Sequence, residues 1–124
     1  MINFLLILTM SCSSLYGYKV RTPSKSESLE IKAIIESGDA SQCLKSKTLT
    51  RVADLCIRKY AILKKDVSAC EHFRKDNNMT DYAICIGKVA RAVKNKNLCS
   101  KYIKKENFRR TCRRSYAPKK QLKK

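Results

Sequence analysis

From Leu49 onward the apolar residues fall into a helical rhythm. Leu49, Val52, Ala53, Cys56, Ile57, Tyr60 and Ala61 recur at i, i+3, i+4, i+7, i+8, i+11 and i+12, which is one stripe of a helix with 3.6 residues per turn. Tyr82, Cys85, Ile86, Val89, Ala90 and Val93 repeat the arrangement. A third stripe is reduced to Phe108, Cys112, Tyr116 and Ala117, with Arg109, Arg110, Arg113 and Arg114 on the remaining faces. Upstream, Ile31, Ile34 and Ile35 share a face of a helix expected to begin near Ser28. A large-small pair closes each of the three stripes (Tyr60-Ala61, Val89-Ala90, Tyr116-Ala117) and is expected to pack on the neighbouring hairpin. No segment alternates apolar and polar residues for long enough to make a strand. The expected fold class is all-α.

The stripes belong to a repeat. Asp39, Asp66 and Asn95 stand four residues before Cys43, Cys70 and Cys99, and Cys56 and Cys85 stand ten residues before Asp66 and Asn95. Leu29 stands ten before Asp39, in the place of a cysteine. The unit Cys-x9-Asp/Asn-x3-Cys recurs with a period of 27 to 29 residues, a length that suits stacked helical hairpins. Between Cys43 and Cys56, Cys70 and Cys85, and Cys99 and Cys112 lie 12, 14 and 12 residues, so each hairpin's loop falls there. Asp39, Asp66 and Asn95 have the side-chain oxygens of helix N-caps, and Gly38 suits the end of the helix before Asp39. The expected architecture over residues 29–117 is a half-repeat helix followed by an array of about three disulfide-stapled helical hairpins.

A folding region of about 90 residues buries only a modest core, and six ladder cysteines answer that shortage when oxidised. Each bridge over a loop of this length contributes about 3 kcal/mol in the chain-entropy view. Six cysteines allow fifteen pairings. Pairing within each hairpin, Cys43–Cys56, Cys70–Cys85 and Cys99–Cys112, leaves no ladder cysteine over. The rival, Cys56–Cys70 with Cys85–Cys99, strands Cys43 and Cys112 at opposite ends of the array, too far apart to bridge. Metal ligation is disfavoured, because no two cysteines stand two to four residues apart as zinc ligands usually do. No metal and no cofactor is expected.

Residues 1–18 carry no charged side chain, and Ile2 to Met10 is mostly apolar. That run is too short to span a bilayer and suits the apolar region of a signal peptide, which agrees with an oxidised ladder. Leu8-Thr9-Met10-Ser11-Cys12 resembles the lipobox of bacterial lipoproteins. Ser11 and Cys12 carry the match, and Thr9 stands where that family usually has leucine. The resemblance implies that Cys12 becomes the lipidated first residue of the mature protein. Cys12 is also the seventh cysteine, the one without a place in the ladder. The alternatives are an ordinary signal peptide cut near Ser14 or Gly17, and an uncleaved anchor. Residues 19–28 read as a flexible tether, and residues 118–124 as a frayed basic tail after Pro118. The Asp-x3-Cys ladder further resembles cysteine-bearing helical repeats of prokaryotic exported proteins, which implies an architecture and no particular activity.

The formal net charge is +18, and it is concentrated. From Lys94 to Lys124 thirteen Lys or Arg residues face one acid, Glu106. Such a field attracts polyanions and speeds their encounter. Lys101, Lys104, Lys105, Arg109, Arg110, Arg113 and Arg114 are the candidate anion-binding residues, with anionic lipid, acidic polysaccharide or another polyanion as partner. A lipid anchor at Cys12 would add the membrane. Tyr102, Phe108 and Tyr116 are interleaved with these cations, as base stacking would need, although Phe108 and Tyr116 also fit the apolar face of the last helix. His72 is the single histidine and has no second ligand or nucleophile beside it in sequence. Carboxylates are sparse and form no acid/base pair, Asp76-Asn77-Asn78 reads as turn chemistry, and Gly87, inside a helix, is expected to admit a close neighbour. The chain therefore reads as a non-enzymatic exported or lipid-anchored basic protein of the cell envelope, in lipid-bound or secreted form. The alternative is a protein-binding module or an inhibitor of an exported enzyme.

Overall fold

A computed structural model describes residues 22–117. Among them every regular element is helical. Helix α1 spans Lys25–Ser37. It starts three residues ahead of the expected position, because Ser24 and Glu27 close a capping box. The Ser24 hydroxyl accepts from the Glu27 N–H at 3.2 Å, and the Glu27 carboxylate accepts from the Ser24 N–H at 2.8 Å. Residues 24–28, expected to belong to the tether, therefore form the cap and first turn of α1. At the other end Gly38 adopts φ 77° and its N–H bonds back to the Ile35 carbonyl, the left-handed cap that glycine takes at no steric cost.

Three units follow. Each opens on a short helix, α2 (Gln42–Lys45), α4 (Glu71–Lys75) or α6 (Leu98–Tyr102). Each closes on a longer one, α3 (Ala53–Lys64), α5 (Met79–Val93) or α7 (Glu106–Tyr116). The stripe that begins at Leu49 is not one helix. Lys47–Val52 is a 3-10 segment and the α-helix starts only at Ala53, yet Leu49 and Val52 are buried beside Cys56, Ile57, Tyr60 and Ala61. A second 3-10 segment, Val67–Cys70, leads into α4.

The same junction recurs at each unit's start. Asp39, Asp66 and Asn95 each accept, through a side-chain oxygen, the N–H two residues on, at Ser41, Ser68 and Asn97, over 3.0, 2.9 and 3.1 Å. Only Asp66 directly caps a helical segment, the 3-10 turn. Before α2 and α6 the same bond forms an Asx turn, and the helix starts one or more residues later. The residue before each Asx is left-handed: Gly38, Lys65 at φ 53° and Lys94 at φ 56°. Asp66 and Asn95 then donate backbone N–H bonds of 2.9 Å to the carbonyls of Ala61 and Ala90, which satisfies carbonyls orphaned at the ends of α3 and α5. Asp76-Asn77-Asn78 is a turn of the same kind. Asn77 is left-handed, Asn78 donates to the Phe73 carbonyl, and the Asn78 side chain caps α5 by accepting from the Asp81 N–H.

The long helices stack in order, α1 on α3, α3 on α5, α5 on α7. Their facing side chains and the six ladder cysteines form one continuous core. The bridges are Cys43–Cys56, Cys70–Cys85 and Cys99–Cys112, each with its Cα atoms 5.7 Å apart. The array is thus stapled within each hairpin, and its disulfides suit an oxidising compartment. Tyr60, Ala61, Val89 and Ala90 are buried as the paired pattern anticipates, while Ala117 is exposed past the end of α7.

Helix α1 is a looser copy than its register suggests. Leu29 occupies the cysteine place and is 62% exposed. The helix docks instead through Ile31 and Ile34. One residue after Leu29, where α3 and α5 bury Ile57 and Ile86, it carries Glu30, whose carboxylate accepts hydrogen bonds from the hydroxyls of Ser46 and Thr48. A carboxylate placed there is held by hydroxyls at the rim and does not enter the core.

Candidate anion-binding surface

The third unit carries the cations. Cys99 and Cys112 tie α6 to α7, and buried Ile103 anchors the connection between them. Lys101, Lys104 and Lys105 are exposed on α6 and on that connection. On α7, Cys112 faces α5 and Phe108 is half-buried against the core. The helical period then turns Arg110, Arg113 and Arg114 outward, with Arg109 half-buried at the margin.

Glu106, at the first position of α7, changes this picture. Its two carboxylate oxygens are divided between two arginines. Oε2 lies 2.9 Å from Arg109 Nη2 in an ion pair, and Oε1 accepts a hydrogen bond from Arg113 Nη2 at 2.6 Å. The hydrogen bond from Arg113 and the charges of Arg113, Arg109 and Arg110 hold the Glu106 carboxyl below its ordinary value. Arg109 is further constrained, since its Nε is buried without an acceptor. Of the seven expected cations, two are therefore held by an internal anion. Lys101, Lys104, Lys105, Arg110 and Arg114 form no ion pair among the described residues. Sequence reasoning missed the Glu106 pairing. Its signal was the single acid placed three and seven residues before Arg109 and Arg113, on the same helix face.

The interleaved aromatics do not form a platform. Phe108 belongs to the core edge and Tyr116 is half-buried. Tyr102 is 39% exposed, and the Lys101 ammonium lies 5.4 Å from its ring centroid. Cys12, the lipobox-like segment and the lysines of the tail lie outside the described residues.

Away from this end, His72 bridges α4 to α3. Its Nε2 lies 3.4 Å from Asp54 Oδ1, and its ring meets Phe73 edge-on at 5.3 Å. Arg58 of α3 reaches Asp81 of α5 at 3.3 Å and lies over the same phenyl ring at 5.8 Å. These contacts stitch the first unit to the second. At the opposite end from the cations, α1 and α3 enclose a groove of about 320 Å³ lined by Ser28, Ile31, Lys32, Ile35, Glu36, Lys59 and Leu63. Among the described residues no cluster of His, Cys, Asp or Glu could hold a metal ion, and no helix is long and apolar enough to cross a membrane. Compared with protein-family models, with curated proteins and with solved structures, the chain matches none.

Proposed function

We propose that this is an exported, non-enzymatic binding protein, tethered through a lipid on Cys12, whose third hairpin holds an anionic partner at the cell envelope. The observation that carries the reading is the group of five cations, Lys101, Lys104, Lys105, Arg110 and Arg114, without an ion-pair partner among the described residues. Guanidinium groups at i and i+4 can each offer a planar fork to sulfate or phosphate. The disulfides support export, because such bridges persist outside the reducing cytosol. The test is binding to heparin and to anionic vesicles across a salt series. Affinity should fall steeply as salt rises, and replacing the five cations by glutamine should abolish it. Unchanged binding by that variant would reduce the basic end to a solubilising surface. An intact mass beginning at an acylated Cys12 tests the anchor.

The groove between α1 and α3 favours a second reading, a protein-binding module or an inhibitor of an exported enzyme. Leu63 lines it and is 64% exposed, and mixed charges from Lys32, Lys59 and Glu36 surround it. Capture of a protein partner that survives high salt and is lost in Leu63→Glu supports that reading over the first.

A further inference from the structure

We infer that Glu106 is a built-in competitor for the basic end, displaced when a linear, soluble sulfated polysaccharide binds across Arg109, Arg110, Arg113 and Arg114. The inference rests on the polyanion-binding reading above and adds the class of partner and the residue that sets its affinity. The first ground is geometric. Glu106 sets one oxygen against Arg109 and the other against Arg113, at 2.9 and 2.6 Å, next to Arg110 and Arg114, which form no ion pair among the described residues. An incoming sulfate must replace that carboxylate to recruit all four guanidinium groups. Glu106 and Arg113 are exposed and Arg109 is half-buried at the margin, and exchange of one oxyanion for another at a surface carboxylate has little desolvation to overcome. A multivalent ligand offers several such exchanges at once.

The second ground is what the described residues of this end do not expose. Insertion into a bilayer interface needs apolar side chains among the cations. Here Ile103 is buried, Phe108 is packed at the core edge and Tyr116 is half-buried. Single-stranded nucleic acid needs open aromatic faces for its bases. Tyr102 is the most exposed aromatic of this end, and the Lys101 ammonium lies over its ring. A sulfated polysaccharide needs neither feature. It needs spaced cations able to grip oxyanions, which α7 supplies.

The experiment uses the full chain with its disulfides intact and heparin as the probe, at physiological ionic strength. Glu106→Gln should bind heparin about threefold to tenfold more tightly than the native chain, the range expected for releasing two exposed ion pairs. Asp76→Asn makes the same change in net charge in the exposed turn between α4 and α5, and should leave affinity unchanged. The gain at Glu106 should shrink when Arg113 is already Gln, a background that also keeps the test valid should the single variant prove less stable. Equal gains from Asp76→Asn and Glu106→Gln, or no gain from Glu106→Gln while the native chain binds, overturn the competitor role alone. Vesicles containing phosphatidylglycerol, or single-stranded oligonucleotide, bound by the unacylated chain as tightly as heparin overturn the assigned partner. No heparin binding by the native chain overturns this inference, and no binding to heparin or to anionic vesicles overturns the reading beneath it as well.

Discussion

A β-carbon placed on Gly87 would lie 2.3 Å from the carbonyl oxygen of Cys112 and 2.7 Å from the Ser115 Cβ. Helices α5 and α7 therefore meet nearly backbone to backbone, and the third hairpin is seated by the absence of a side chain at one position. The obstruction is a carbonyl of a helix that a disulfide fixes to α6, so it cannot swing aside. Gly87→Ala should cost about 2 kcal/mol, the overpacking penalty outweighing alanine's helix preference of about 1 kcal/mol. Thermal melting of the oxidised protein should show a midpoint lower by about 10 °C. A midpoint at or above that of the native chain would mean that α7 does not lie this close.

Lys65 and Lys94 hold left-handed conformations, at φ 53° and 56°, where α1 ends on Gly38. Both are exposed, so their side chains contribute little there and the steric strain of a β-carbon remains. Lys65→Gly and Lys94→Gly should each stabilise by about 0.5 to 1 kcal/mol, less whatever glycine loses through a freer unfolded chain. Denaturant midpoints read this directly. Destabilisation by glycine would show that the lysines make contacts worth more than the strain.

The three bridges predict a mass six hydrogens below that of the reduced chain. Peptide mapping without reduction should recover Cys43 with Cys56, Cys70 with Cys85, and Cys99 with Cys112. Cys99→Ala with Cys112→Ala should cost about 3 kcal/mol and keep its helical circular dichroism at low temperature, because α7 still rests on α5. Full reduction should unfold the array, since a core of this size is marginal without cross-links.

Acid should loosen both ends of the array first. The Glu27 carboxyl is held below its ordinary value of 4.5 chiefly by the Ser24 backbone N–H, then by Arg51. Glu30 is lowered by the Ser46 and Thr48 hydroxyls, and Glu106 by Arg113. Groups with a depressed folded value contribute fully above pH 4.5, and that contribution is lost as pH falls through the lower folded value. Melting midpoints should therefore drop below pH 4.5. Glu27→Gln with Glu30→Gln should flatten that slope as well as lowering stability at neutral pH. An unaltered acid slope in this double variant would place the acid-sensitive groups elsewhere.

How much was legible beforehand follows the range of the interactions. The stripes through Cys56 and Cys85 announce helices because a helix face repeats over neighbouring residues, whatever lies across from it. The cysteine ladder carries its own pairing once the hairpins are granted, because only partners within a hairpin are all brought into reach. Gly87 could be marked as a place of close approach, since its absent side chain is itself a local signal.

Other features depended on what the folded chain brings near. Leu29 matches the cysteine place in number, yet α1 is turned so that Ile31 and Ile34 meet α3 and Leu29 meets solvent. Lys65 and Lys94 have no intrinsic leaning to the left-handed region, and the Asx turns and carbonyl bonds after them impose it. The stretch from Lys94 announces an excess of positive charge with one acid among it. By spacing along α7 Glu106 could reach Arg110 as well as Arg109 and Arg113, and the orientation of the side chains in the folded hairpin sets it against Arg109 and Arg113. Spacing along a chain specifies periodicity and reach. The choice among equally charged neighbours is made by orientation in three dimensions.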